Sequence, residues 1–429
     1  MPVTGPALEL STETPVSEVV TPSPVAEETL VDEVAVDPST GRPAGRAQAL
    51  VLLFSSCLAI LGAVLLAPVL PAIQDAFEGT AGVEALAPIV LTAPALVIGL
   101  TAPFAGRIVD KLGRKRLLVG ALVVYAFVGT APLWLPSLQL IVVSRVLVGL
   151  TEAAIMTCCT TLLADYYHGS KREKYFGLQV IFTTVAATIF FGVGGALGAH
   201  NWRTPFWLYL VSLPLAVAAA KYIWSPAPRP SGAAGKLAPL PWGKLAAPVG
   251  VSLIGGLVFY VLIVELSFKL DAIGIESTGT IGAVSAIASL GTAVGGFAFG
   301  KLARLGPAVT VPLAFAVSGL GLIGLGLAGA LPMIVAFAVL TGFGNGLLLP
   351  AILTWALGSL TFEQRGRGTG FWTAAVFLGE FICPLVILAL RDGFDSLTAA
   401  LVIVGVVGIV AAVGVRLARP AAQAEVAGH

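Results

Sequence analysis

Twelve apolar segments account for most of this 429-residue chain. Each is near the roughly 20 residues that a helix needs to cross the hydrocarbon of a bilayer. Their approximate limits are 47–72, 83–105, 116–135, 138–164, 174–199, 204–224, 247–270, 279–300, 307–329, 332–358, 367–390 and 395–417. Since lipid offers no hydrogen bonds, a spanning backbone must satisfy its own, and a segment of this length does so as an α-helix. The sequence therefore predicts an all-α membrane protein with twelve transmembrane helices.

The composition agrees with a protein whose main solvent is lipid. Hydrophobic residues make up 57% of the chain and charged residues only 11%, whereas soluble proteins contain about 25% charged residues. The net charge of +1 gives no reason to expect a nucleic-acid partner. All four cysteines lie in apolar segments, at spacings that suit neither a disulfide framework nor a metal site. We therefore expect no metal and no cofactor.

The basic residues predict which side of the membrane each loop occupies. An even number of spans places both ends of the chain on one side, and the loops and ends of that side hold 20 of the 24 Lys and Arg residues. The other side holds three, and Arg145 lies within a span. Because loops rich in Lys and Arg stay in the cytoplasm, we expect a plasma-membrane protein with both ends cytoplasmic.

Composition also divides the chain into regions. Residues 1–46 hold eight acidic and two basic residues among many Pro, Ser, Thr and Val, which predicts a disordered cytoplasmic tail. The longest connection between spans, 225–246, is rich in Pro, Gly and Lys and predicts a cytoplasmic linker. It separates a six-helix bundle over 47–224 from a second bundle over 247–418, and residues 419–429 form a short cytoplasmic tail.

The two halves of the chain resemble each other. Four positions of the first half correspond to positions of the second at a constant offset of 193: Gly149, Glu152, Arg172 and Gly177 match Gly342, Asn345, Arg365 and Gly370. Chance matching in a glycine-rich chain is the alternative, but a gapless offset over this length favours duplication. Paired six-helix repeats are typical of secondary transporters, whose substrate site lies between the repeats near the middle of the membrane.

Four ionisable residues inside predicted spans are candidates for proton coupling: Arg145, Glu152, Glu265 and Glu380. A charge at the bilayer centre is costly, so such residues commonly mark ion or substrate pathways. Arg145 and Glu152 share one face of the fourth helix but lie about 10 Å apart along its axis, which is too far for a direct salt bridge. A static polar lock between helices is the alternative role for this pair.

Glu380 is the best candidate for the proton carrier. Pro384 follows four residues later and cannot donate the hydrogen bond that the carbonyl of residue 380 would accept in a regular helix. An interrupted backbone beside an acid at this depth is tolerated mainly where it lines a cavity. Thr373 and Phe377 share the helix face of Glu380 and are predicted to belong to the cavity wall. The alternative is a permanently protonated packing residue.

Other polar residues in the spans allow two interpretations each. Glu265 precedes Lys269 by one helical turn, so a salt bridge at the outer mouth of the seventh helix is the alternative to a proton role. Asn345, the repeat counterpart of Glu152, suits substrate hydrogen bonding and helix packing equally. Met156, one turn beyond Glu152, completes the predicted cavity residues.

The connection between the second and third segments is densely charged, with five cations, one acid and two glycines between residues 106 and 116. It matches the loop signature of the major facilitator superfamily of secondary transporters, G-x-x-x-D-[R/K]-x-G-R-[R/K], at every position. The predicted gating loop consists of Gly106, Arg107, Asp110, Lys111, Gly113, Arg114 and Lys115. The chain resembles this superfamily over about residues 47–420, and Arg145 with Gly149 matches its R-x-x-x-G signature of the fourth helix.

The resemblance implies the major facilitator fold, in which helices 1, 4, 7 and 10 line a central cavity. It also implies that the acid and bases of the loop latch the two halves together while the transporter is open outward. Asp165, at the end of the fourth helix, is the expected acidic partner of the loop arginines. A purely topological role for the cations is the alternative, but Asp110 argues against it because an acid adds nothing to a positive-inside bias.

The expected function is secondary active transport of a small organic compound by alternating access. Proton-coupled efflux is favoured by the acids in the spans and by the loop signature, which resembles the drug-exporter branch. The Gly-Pro element associated with antiporters is only partly present, because Phe190 and Phe191 precede Gly194 and Gly195. Proton-coupled uptake, a membrane sensor and a lipid flippase are the alternatives. The expected partners of this monomeric, non-enzymatic protein are a small molecule, protons and lipid, with a proton gradient as energy source.

Overall fold

The computed structural model describes residues 1–2, 5, 34–225, 239–358 and 360–418. Twelve helices of this part of the chain are long and apolar enough to cross a membrane. They are numbered α1 to α12 and comprise Arg46–Ala76, Val83–Thr101, Arg114–Leu133, Leu138–Tyr166, Gly169–Gly198, Thr204–Tyr222, Trp242–Asp271, Thr278–Leu305, Pro307–Leu327, Leu331–Gly358, Gln364–Phe394 and Leu397–Ala418. In the described ranges the only β-pairing is in isolated bridges. The predicted all-α fold with twelve transmembrane helices is confirmed.

Several helices extend beyond the apolar segments that predicted them. Helix α5 begins at Gly169 rather than near 174, and α7 begins at Trp242, inside the expected linker 225–246. These first turns are polar, so hydropathy alone does not detect them, although the backbone continues the same helix. Most of the linker and residues 419–429 lie outside the described residues. A short helix, Ala105–Leu112, occupies the predicted gating loop, and Gly113 separates it from α3 with a φ of 82° that glycine adopts without strain.

The last part of the tail expected to be disordered has a defined structure. Val34 bridges to Tyr167 at the end of α4, and Val36 bridges to Pro43. The turn between them is closed by Asp37, whose carboxylate accepts hydrogen bonds from the backbone and side chain of Ser39. These hydrogen bonds hold the pKa of Asp37 below its usual range. Residues 34–45 therefore cover the end of α4 instead of forming a free tail.

The six-helix repeat extends from the sequence to the packing. A side chain on Gly149 of α4 would place its Cβ 2.7 Å from the Cα of Pro94 in α2. The repeat counterpart of Gly149, Gly342 of α10, packs in the same way against the Ala288 carbonyl of α8. Equivalent glycines thus let equivalent helices approach each other. Helices α1–α6 form the N-terminal half and α7–α12 the C-terminal half.

The two halves meet along two seams. We call the side on which α1 begins and α12 ends the terminal face, and the other side the opposite face. Along the α5–α8 seam, the hydroxyls of Thr188 and Ser289 are hydrogen-bonded to each other at 3.0 Å. Thr278 donates a hydrogen bond to the Gly195 carbonyl at 3.0 Å. A Cβ on Gly195 would lie 2.8 Å from the Cα of Gly282. These contacts run from mid-membrane to the opposite face.

The α2–α11 seam is also closed near the terminal face. A Cβ on Gly370 of α11 would lie 3.1 Å from the Cα of Pro103, just beyond the end of α2. A Cβ on Gly177, the repeat counterpart of Gly370 in α5, would have nothing within 4 Å. The seams are therefore not equivalent at the terminal face, because Gly370 of α11 packs closely on the chain at the end of α2 while Gly177 of α5 has open space around it.

Candidate functional site

All four ionisable residues predicted inside the spans are buried. The exposed fraction is 0% for Arg145, 3% for Glu152, 2% for Glu265 and 6% for Glu380. Their surroundings differ sharply, since two make several polar contacts within the N-terminal half and two lie on helices of the C-terminal half with few or none. This contrast separates structural roles from candidate functional ones.

Arg145 is held by neutral groups rather than by an acid. Its guanidinium donates to the carbonyls of Val128 and Gly129 at 2.9 and 3.0 Å and to the Tyr209 hydroxyl at 3.0 Å. It also lies over the rings of Phe206 and Tyr209, at 5.3 and 5.1 Å from their centroids. Arg145 thereby ties the end of α3 to α4 and α6. The expected absence of a direct Arg145–Glu152 salt bridge agrees with these contacts, which favour the polar-lock interpretation.

Glu152 faces α1 and α3 inside the N-terminal half. Its Oε1 lies 3.4 Å from the Tyr125 hydroxyl, which itself donates to the Leu58 carbonyl at 2.8 Å. A Cβ on Gly62 of α1 would lie 2.9 Å from the same Oε1. The lack of a side chain at Gly62 thus makes room for the carboxyl. The Tyr125 hydroxyl thus faces both the Leu58 carbonyl and the Glu152 carboxyl, with the shorter contact to Leu58.

Asn345 is buried between neighbouring helices of the C-terminal half. It is 2% exposed; its amide nitrogen donates to the Phe259 carbonyl of α7 at 3.0 Å, and its oxygen accepts from the Ser318 hydroxyl of α9 at 3.0 Å. These contacts favour the packing interpretation of Asn345, and its contact with substrate stays a prediction. The amide is used for packing because its donor and acceptor match groups on two neighbouring helices.

Glu380 has the surroundings expected of a proton carrier. The carboxyl is buried, and it has no hydrogen bond or salt bridge within the described residues. Thr373 and Phe377, on the same helix face, are partly exposed. Tyr260 of α7 interacts electrostatically with Glu380 and also with Glu152 of the other half. Glu380 and Tyr260 thus lie where the two halves face each other.

Glu265 is not paired with Lys269. Lys269 instead donates to the Gly326 carbonyl of α9 at 2.8 Å, so the expected i,i+4 salt bridge is not formed. Oε2 of Glu265 is buried without a hydrogen-bond partner. The carboxyl lines a small recess with Arg391 of α11. The interpretation of Glu265 and Lys269 as a salt bridge fails because the ammonium group of Lys269 is hydrogen-bonded to a backbone carbonyl at the end of α9.

Several polar residues of the interior were missed by the sequence analysis. Tyr125, Tyr209 and Tyr260 are each at most 3% exposed. Gln179 of α5 donates to the Ser56 hydroxyl of α1 at 2.8 Å. Met156, a predicted cavity residue, is partly exposed. A tyrosine in an apolar span was the available signal, because a buried tyrosine usually places its hydroxyl on a partner.

The gating loop makes its described ion pairs within the N-terminal half. Arg114, at the start of α3, pairs with Asp110 of the short helix at 2.8 Å and also with Asp165 at the end of α4. The predicted pairing of Asp165 with a loop arginine is thus present in the structure. Asp110 is 64% exposed and the Asp165 side chain 5%. Arg107 and Lys111 are exposed, Gly106 has open space around it, and Lys115 is half-buried.

Comparison with known proteins gives relatives over most of the chain. The sequence is 25% identical over 365 residues to the quinolone resistance protein NorA of Staphylococcus aureus, covering 80% of this chain and 90% of NorA. It is 28% identical over 163 residues to multidrug resistance protein 2 of Bacillus subtilis, covering 37% and 38% of the two chains.

Solved structures share the fold at low sequence identity. The POT family transporter PepTSo matches with a TM-score of 0.68 and 14% identity, over 87% of this chain and 98% of its own. A bacterial homologue of the human lysosomal transporter Spinster, in an inward-facing and unoccupied conformation, matches with a TM-score of 0.66 and 16% identity, over 87% and 95%.

The family follows from the sequence profile together with this architecture. The profile of the Major Facilitator Superfamily matches twice, over residues 52–270 and 249–428, once for each half. These two matches correspond to the two six-helix repeats in the structure. The chain is a multi-pass membrane transporter that belongs to the Major Facilitator Superfamily.

Proposed function

We propose that this protein exports small organic compounds, quinolones among them, in exchange for protons. The observation that carries the proposal is Glu380, a mid-span carboxyl that is 6% exposed and has no hydrogen bond or salt bridge within the described residues. A carboxyl without a fixed partner can change its protonation without breaking a structural contact. The names of the quinolone and multidrug resistance relatives support the substrate class and the outward direction.

The proposal includes an orientation. The terminal face, the side to which the sequence assigns 20 of the 24 basic residues, lies in the cytoplasm, and the opposite face lies outside the cell. The protein works as a monomer in the plasma membrane, since both halves of the pathway belong to one chain. Substrate is taken from the cytoplasmic side, and the proton enters from the outside.

Inverted membrane vesicles containing the full-length protein test the function. A fluorescent quinolone is added outside, and its accumulation is measured with an acidic vesicle interior and then after the pH difference is collapsed. Export by proton exchange predicts accumulation that disappears with the pH difference. Vesicles with the Glu380→Gln variant should lose the driven accumulation, whereas Glu276→Gln, an exposed acid on the opposite face, should retain it.

Different results would indicate the alternatives. Accumulation only when the exterior of the inverted vesicles is acidic would mean proton-coupled uptake by the cell. Quinolone accumulation that does not depend on the pH difference would contradict proton coupling. Absence of quinolone transport, with binding intact, would contradict the exporter proposal and favour a sensor.

A further inference from the structure

A recess on the opposite face is formed jointly by the two halves. Gln74 of α1 and Glu84 of α2 line it from the N-terminal half, and Glu265, Phe268, Pro384 and Arg391 line it from α7 and α11. Its walls therefore come from both halves. It lies away from the mid-membrane residues on which the proposed function rests.

The most buried polar group of the recess is also incompletely satisfied. Glu265 is 2% exposed, and its Oε2 accepts no hydrogen bond. A buried polar atom without a partner is unusual in a native structure and needs a reason. The charged or titratable groups around Glu265 are Glu84 of α2 and Arg391 and Cys383 of α11, while Lys269 on its own helix is turned to α9. Arg391 is the cation whose charge acts on the Glu265 carboxyl.

Helix α11 connects this recess to Glu380. Glu380, Pro384 and Arg391 follow one another on one face of α11, at spacings of four and seven residues. Cys383, which is fully buried, interacts electrostatically with both Glu265 and Glu380. Pro384 lines the recess, and Glu380 lies one turn away from it, about 6 Å along the axis of α11. Water beside the interrupted backbone at Pro384 would join the recess to Glu380.

We propose that the recess is the port through which protons enter from the opposite face, with Glu265 as the acceptor at the port and Glu380 as the deeper carrier. This inference rests on the proposed proton coupling. A hydronium ion in the recess transfers its proton to the Glu265 carboxylate and leaves water. The proton then passes through water to the Glu380 carboxylate, and Glu265 returns to the carboxylate form beside Arg391. Glu380 carries the proton until the halves open toward the terminal face.

Liposomes containing the purified full-length protein separate this pathway from substrate handling. Two rates are measured with a fluorescent quinolone: accumulation driven by a pH difference, and exchange of internal for external quinolone without one. A difference of one pH unit permits about tenfold accumulation by one-for-one exchange. E265Q and E380Q should each lose the driven accumulation and retain exchange, and the double variant should be no worse, because residues that act as one unit are not additive. The matched control is E276Q.

The outcomes are distinguishable. If the wild-type protein shows no driven accumulation, the proposed function fails and this pathway fails with it. If the pH difference drives equal quinolone accumulation by the wild-type protein and by E265Q, the port is overturned while the proposed function stands. Retained quinolone exchange in E265Q shows that the variant folds. If E265Q loses exchange as well, E265D is the deciding variant. Accumulation driven by the pH difference in E265D supports the port, and its absence overturns the port.

Arg391 is a positioning residue in this scheme and has its own readout. The pH on the recess side alone is varied while driven accumulation is measured. R391Q removes the charge that favours the Glu265 carboxylate, so the profile should move to higher pH on that side, and R391K should restore it. A profile unchanged in R391Q would overturn the role of Arg391 at the port, because a merely structural arginine would lower the rate without moving the profile.

Discussion

Tyr125 and Ser318 lie 193 residues apart, at equivalent positions in the two halves, and each contacts the polar side chain at the equivalent position of a neighbouring helix. The Tyr125 hydroxyl lies 3.4 Å from Glu152, and the Ser318 hydroxyl donates to Asn345 at 3.0 Å. The repeat thus retains a polar contact between the third and fourth helix of each half. One copy contains an acid and the other an amide, so the scaffold accepts either.

This equivalence predicts that Glu152→Gln folds normally. The amide can occupy the position that Asn345 occupies in the other half, so thermal unfolding in detergent should begin near the wild-type temperature. We expect gradient-driven quinolone accumulation to be lost, because Tyr260 interacts with both Glu152 and Glu380. Full accumulation in this variant would assign Glu152 to structure alone.

Arg145→Ala should reduce both folding yield and activity. The variant leaves the carbonyls of Val128 and Gly129 without their donor, and hydrogen bonds to a charged group contribute about 1.5–3 kcal/mol each. Arg145→Lys should recover little, since a lysine lacks the planar fork that reaches both carbonyls and Tyr209. The measurement is the amount of monodisperse protein recovered and its unfolding temperature. A stable, active Arg145→Ala protein would contradict the polar lock.

The two acids that contact Arg114 should differ in their effect on stability. Asp110 is 64% exposed, and exposed helical pairs contribute about 0.3–0.5 kcal/mol, so Asp110→Asn should unfold like the wild type while slowing transport with little change in substrate affinity. Asp165 is buried, and Asp165→Asn should cost about 1–3 kcal/mol. Thermal unfolding and quinolone binding in detergent test both variants. A large loss of affinity in Asp110→Asn would count against a gating role.

Gly195→Ala should disfavour the closed state of the opposite face. The new Cβ would lie 2.8 Å from the Cα of Gly282 across the α5–α8 seam, and backbone atoms cannot give way as a side chain does. Spin labels at Asn201→Cys and Glu276→Cys, one on each half in a cysteine-free background, report the separation. The distance should increase in Gly195→Ala. The control is Gly192→Ala, one turn away with nothing within 4 Å.

Membrane orientation can be tested with two single cysteines. Lys111 lies in the basic short helix on the terminal face, and Glu276 lies in the loop between α7 and α8 on the opposite face. In intact cells, an impermeant thiol reagent should label Glu276→Cys and spare Lys111→Cys. The reverse pattern would place the terminal face outside and invalidate the proposed direction of export.

The sequence was sufficient for the fold because length and hydropathy leave one solution in lipid, and the 193-residue offset identifies the repeat. It was less informative about the site. Hydropathy marks Glu265 as costly, but it does not show that Lys269 turns to the Gly326 carbonyl. The partners of Asn345 lie 27 and 86 residues away, so its choice between packing and substrate depends on contacts that only tertiary structure sets.

The same limit applies to the N-terminal tail. Residues 34–45 contain Pro, Ser, Thr and Val like the segment before them, yet Tyr166 and Tyr167 at the end of α4 offer backbone and aromatic partners. Ala35 donates to the Tyr166 carbonyl at 2.9 Å, and the Tyr167 hydroxyl donates to Gly45 at 2.7 Å. Composition describes the segment alone and not the surface on which it packs.

The unequal seams have a mechanical consequence. Near the terminal face, Gly370 packs closely against Pro103 while Gly177 has open space around it, so the α2–α11 edge is the more tightly packed at these two equivalent positions. We expect the two halves to rotate about this tighter edge, with the smallest displacement at α2 and α11 and the largest at α5 and α8. Larger side chains along the α2–α11 edge should therefore block the rotation with little change in the width of the opening between the halves. Larger side chains along the α5–α8 edge should narrow that opening itself.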